Sequence, residues 1–115
     1  MLIAAALIQL ALPEADSLKA RRRVANAIKE RVRSRFRLSI AEVGDPEDRH
    51  EVVLGMVEVG SDPRVMRERM RKVIAFIEGL GLAEVAADDV VVARLDELEE
   101  IESDDEPLPE AWRRR

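Results

Sequence analysis

The stretch FRLSIAEVGDPEDRHEVVLGMVEV, residues 36–59, decides the fold. Phe36, Leu38 and Ile40 alternate with Arg37 and Ser39, the period of a strand running to Val43 with one dry and one wet face. Gly44-Asp45-Pro46 opens a polar loop that continues through Arg49. From Glu51 to Val59 the alternation resumes, with Val52, Leu54 and Met56 against Val53, Gly55 and Val57. Two such runs joined by a turn-rich loop predict an antiparallel pair.

On both sides of this pair the period becomes helical. Leu18, Val24, Ala25, Ile28 and Val32 recur at helical spacing as far as about Ser34, and Ser17 supplies an N-cap oxygen. After the pair, Asp62-Pro63 opens a second helix with proline where no N–H is needed. Met66, Met70, Val73, Ile74, Ile77 and Leu80 form its buried stripe, Arg64, Arg67, Glu68, Arg71 and Glu78 face outward, and Gly79 and Gly81 close it.

Apolar strands flank the helices. Leu2 to Leu12 is apolar on both faces, with Leu2, Ala4, Ala6, Ile8 and Leu10 on one and Ile3, Ala5 and Leu7 on the other. That pattern predicts a central strand, ended by Pro13. A last strand starts as early as Val85 and is firm from Val90 to Leu95. The order β-α-β-β-α-β predicts an α+β, ferredoxin-like domain over residues 1–98: a four-stranded antiparallel sheet with two helices on one face. Residues 99–115 read as an acidic, flexible tail.

The 115 residues contain no cysteine, which excludes disulfides and thiolate metal sites. The apolar run Leu2 to Ile8 has no basic residue before it and falls well short of the ~20 residues that span a bilayer. A cytoplasmic protein without membrane association is expected. The net charge of −5 is unevenly spread: residues 1–95 hold 16 basic and 15 acidic groups, residues 96–115 hold 3 and 9.

Within residues 19–37, nine basic residues face a single acid, Glu30. Lys19, Arg22, Arg23, Lys29 and Arg33 lie along the helix side opposite the apolar stripe, and Arg37 lies just beyond it. Arg21 falls towards the apolar side, where its stem packs and its guanidinium is expected to reach water. The six outward cations are the candidate nucleic-acid site, because such a stripe engages phosphates and releases counterions. A plain solvated face, or a surface for an acidic protein, fits the same residues.

Base-stacking platforms are missing: the chain has no tyrosine, no GxxG clamp, and Phe36 is assigned to the core. Contact with structured RNA or a ribosomal particle would therefore be to backbone and shape. The second candidate is the sheet face away from the helices, where Ile3, Ala5, Leu7, Val53 and Val57 offer an apolar surface suited to a homodimer. Cover by the tail or by loop 44–50 is the alternative.

Catalysis finds no support. His50 is the only histidine and sits in a charged loop with Asp45, Glu47 and Asp48, whose spacing lacks the alternation of a calcium loop. A zinc site, a phosphate-binding glycine loop and a nucleophile motif are all lacking. No catalytic residue, metal, cofactor or small-molecule substrate is expected. The nine carboxylates from Asp96 to Glu110 leave open a tail folded back on the basic helix.

Ser17-Leu18-Lys19-Ala20-Arg21-Arg22-Arg23 resembles the SLKxKRR opening of the first helix in the small YlxP-like bacterial family, catalogued as domain of unknown function 503. Arg35-Phe36 with Ser39-Ile40-Ala41-Glu42-Val43 is similar to its second strand, RFxVSVAEV, and Leu54-Gly55 and Asp62 also fit. The tryptophan that family members often carry between the second and third strands is missing from Gly44 to His50. The resemblance, over residues 1–95, implies a ferredoxin-like fold, a genomic association with translation and ribosome maturation, and no established activity.

Overall fold

Hydrophobic periodicity and capping chemistry place the elements of the computed structural model, which describes residues 1–101. They are β1 (Leu2–Ala11), α1 (Leu18–Arg35), β2 (Ser39–Glu42), β3 (Glu51–Gly60), α2 (Pro63–Gly79) and β4 (Glu84–Arg94), followed by a short 3-10 turn at Leu95–Glu97. The strands lie in the order β2-β3-β1-β4, and every neighbouring pair is antiparallel. This is the ferredoxin-like βαββαβ arrangement. One core joins both helices to one face of the sheet: Ala25, Ile28, Val32, Met66, Met70 and Ile77 pack with Ala4, Ile8, Leu10, Val52, Leu54 and Val90.

Local chemistry sets the helix ends. The Ser17 hydroxyl accepts from the Ala20 N–H at 3.0 Å, which satisfies one orphan donor of α1. The Asp62 carboxylate does the same for Arg64 and Val65 at 3.0 and 3.2 Å. Beyond α2, Gly81 takes φ 68°, a left-handed conformation that residues with a Cβ avoid.

Two strand boundaries differ from expectation. Phe36 is the C-cap of α1, not the first residue of β2: its N–H donates to the Val32 carbonyl at 2.8 Å, and its ring meets Phe76 edge-on at 5.5 Å. Helix bonding thus claims residues that alternation alone assigns to a strand, and pairing with β3 begins at Ser39 opposite Val57. At the other end, β4 starts at Glu84. A register shift between Gln9 and Leu10 leaves Ala86 as an extra residue, a β-bulge.

Arg21 is the largest correction. Its guanidinium does not reach water; the residue is 2 % exposed. Nε donates to the Asp48 carbonyl, while Nη2 reaches the carbonyls of Asp45 at 3.0 Å and Glu51 at 3.1 Å and pairs with the Glu42 carboxylate. The chain between β2 and the start of β3 turns these carbonyls inward, and the guanidinium supplies their donors. Removing one partner of such a buried pair costs about 3–5 kcal/mol. Arg21→Met should lose stability on that scale in urea unfolding, and Arg21→Lys should recover little of it, because an ammonium lacks the planar fork.

Candidate nucleic-acid interface

Helical geometry advances 100° per residue, so an inward Arg21 turns its neighbours outward. Lys19, Arg22, Arg23, Arg33 and Arg37 are exposed and Lys29 is half-buried. Arg33 also donates from Nη2 to the Ile40 carbonyl at 2.8 Å, which ties α1 to β2. None of these six cations pairs with a carboxylate among the described residues.

The second helix is built differently. Arg64 pairs with Glu68 at 3.5 Å, Arg69 with Glu58 at 2.8 Å and Arg71 with Asp88 at 2.8 Å. Sequence reasoning missed these partners, since Glu58 and Asp88 belong to other elements. Glu58 is only half satisfied: Oε2 accepts from Arg69 Nε, while its buried Oε1 has no partner among the described residues. The remaining cations of the first basic segment divide between uses. Arg35 lies over the rings of Phe76 and Phe36, at 5.1 and 6.0 Å, and Arg31 is exposed.

The far side of the sheet is open. Ala5, Leu7 and Val57 are exposed there and Ile3 and Val53 are half-buried. Register brings them together: Ala5 lies between Val57 and Val91, Leu7 between Gly55 and Asp89, and Ile3 between Val59 and Ala93. Val43, Val59 and Val91 share this exposed face, and the same alternation that identified Val57 would have found them. Loop 44–50 covers only the Val53 corner of it, where Gly44 lies against that side chain. Its carbonyls turn towards Arg21 on the helix side, and Leu7 and Val57 each remain 42 % exposed. The tail beyond Ile101, with the fold-back considered above, lies outside the described residues.

In the polar loop the carboxylates serve the backbone. Asp45 accepts from the Glu47 N–H and Asp48 from the His50 N–H, each at 2.9 Å. Among the described residues, no group of three His, Asp or Glu is placed to hold a metal ion, and no helix is long and apolar enough to cross a membrane.

A family model described as "Protein of unknown function (DUF503)" matches residues 3–90. The chain belongs to the DUF503 family. That match runs from β1 into β4 and includes both helices of this DUF503 domain. No curated protein matches the chain. Among solved structures, Rv0793 from Mycobacterium tuberculosis is similar at 18 % identity over 89 % of this chain and 100 % of that one, with a TM-score of 0.45. A de novo designed protein with ferredoxin fold, LFR1 1, is similar at 14 % identity over 93 % of this chain and 98 % of its own, with a TM-score of 0.42. Likenesses this distant carry no argument here; the fold assignment rests on strand order and register.

Because Lys19, Arg22 and Arg23 make no internal ion pair among the described residues, their stability cost should be small. Each single alanine substitution should shift the unfolding free energy by no more than about 0.5 kcal/mol, read from denaturant melts.

Proposed function

We propose that the basic stripe of α1 binds the phosphate backbone of structured RNA, in a non-enzymatic role associated with RNA or the ribosome in the cytoplasm. The observation that carries this reading is the lack of carboxylate partners for Lys19, Arg22, Arg23, Lys29 and Arg37 among the described residues. Like charges three or four residues apart on a helix repel one another, so an unpartnered stripe is mildly destabilising until an anion meets it. Surfaces kept only for solubility normally mix both signs, as α2 does.

Arg22 and Arg23 offer planar donor forks that match phosphate oxygens. Among the described residues, the aromatics near the stripe, Phe36 and Phe76, are engaged edge-on with each other and offer no open stacking platform. Binding on these terms follows backbone shape and tolerates changes of base. The resemblance to a family whose genes accompany translation and ribosome maturation points the same way.

A fluorescence titration of the full chain against a structured ribosomal RNA fragment tests the reading. With five phosphates neutralised on a duplex, log K against log salt should have a slope of about −4.5. Arg22→Ala/Arg23→Ala/Lys29→Ala should flatten that slope by about three and weaken binding alike on unrelated sequences. Salt-insensitive binding, or wild-type affinity in the triple variant, would remove the proposal. Absence of RNA binding together with capture of an acidic protein by the same face would replace it with a protein-interaction role.

A further inference from the structure

We infer that the open face of the sheet is a contact between two copies of this chain, packed sheet on sheet. A sheet with helices on one side normally presents polar side chains on the other. Here the exposed rows are Val91-Ala5-Val57-Ser39, Asp89-Leu7-Gly55-Ala41 and Ala87-Gln9-Val53-Val43. Asp89 carries the only charge in these rows and lies on β4, an edge strand, where it stays wet at the rim of a contact.

Shape and size favour a second copy. Leu7, Val43, Val57 and Val91 surround a shallow depression of about 480 Å³ whose floor is lowered by Gly55 and Ala41. A two-fold axis sets each copy's valine and leucine knobs against its partner's depression, the self-complementarity an isologous contact requires. Three strands of ten or eleven residues and the four-residue β2, about 4.8 Å apart, present about 550 Å² of projected area. Two such faces reach about 1,100 Å², just above the roughly 1,000 Å² that a specific contact needs.

Charge argues against the chain's own tail as the cover. Residues 102–110 include Glu102, Asp104, Asp105, Glu106 and Glu110, and across its apolar rows the face offers them only the like charge of Asp89, with Arg37 beside Val57 and Val59 at its edge. Stacking the sheets also turns both copies of α1 outward, so the pair displays two basic stripes on opposite sides. The inference itself stands apart from the RNA reading.

Sedimentation velocity of the full chain, from micromolar to sub-millimolar concentration, should show a 13.0 kDa species giving way to one of twice that mass. Leu7→Glu should remain monomeric at concentrations at least tenfold above the wild-type midpoint, with unchanged far-ultraviolet circular dichroism. Should that variant lose its helical signal, Val59→Lys/Val91→Lys decides instead, since both side chains are already exposed. A wild-type chain that stays monomeric throughout overturns the inference, as does a dimer that survives the folded face variants. Trp112, the only tryptophan, separates the rival cover. A monomer whose tryptophan emission shifts to the red in Leu7→Glu would assign the face to the tail and overturn the second copy.

Discussion

The guanidinium of Arg21 is the constraint on which the arrangement of the charged surface depends. Four groups converge on it: the Glu42 carboxylate at the end of β2, the Asp45 and Asp48 carbonyls of the loop, and the Glu51 carbonyl opening β3. Taking a cation out of water costs several kcal/mol, and only a nearly complete set of partners offsets it. The contribution of the network is therefore to geometry more than to net stability. It fixes the rotation of α1 about its own axis, and with it the direction in which Lys19, Arg22 and Arg23 leave the helix. A hydrophobe of similar volume would fill the space and leave three carbonyls without donors.

Much of this fold is legible in local periodicity. Alternation along Glu51–Gly60 places β3, because burial of one face imposes a period of two, and the unbroken apolar run over Leu2–Ala11 places β1 as a central strand. Asp62-Pro63 and Gly81 bracket α2 by capping chemistry that needs only neighbouring residues. Phe36 is the instructive failure. Phe36, Leu38 and Ile40 alternate, but Phe36 is equally one turn on from Val32, and its N–H bonds back to that carbonyl. Two periods overlap there, and tertiary packing against Phe76 decides between them.

The candidate site was legible in half. A helical wheel suffices to align Lys19, Arg22, Arg23, Lys29 and Arg33, since all belong to one element. Whether those charges are neutralised depends on carboxylates brought from elsewhere, as Asp88 is to Arg71 across 17 residues of sequence. The same limit hid the fate of Arg21. Its acceptors lie 21 to 30 residues away, in a loop whose polar composition reads as solvent-facing. Local pattern gives the side of the helix on which a residue lies; it cannot show that the side is dry and lined with carbonyls.

The partition of charge follows from this folding. Acidic residues outnumber basic ones, 24 to 19, yet the stripe on α1 stays unpaired among the described residues. Glu68, Glu58 and Asp88 answer three of the four arginines of α2, Arg64, Arg69 and Arg71. Glu42 answers the one buried cation, and Asp45 and Asp48 cap their own loop backbone. What remains is a cationic face of α1 on one side of the domain and, on the other, a sheet face of mostly valine, leucine and alanine with Asp89 and Arg37 at its edges. In the two proposed roles, a substitution of Arg22 or Arg23 and one of Leu7 or Val91 act on different contacts, because the core lies between them.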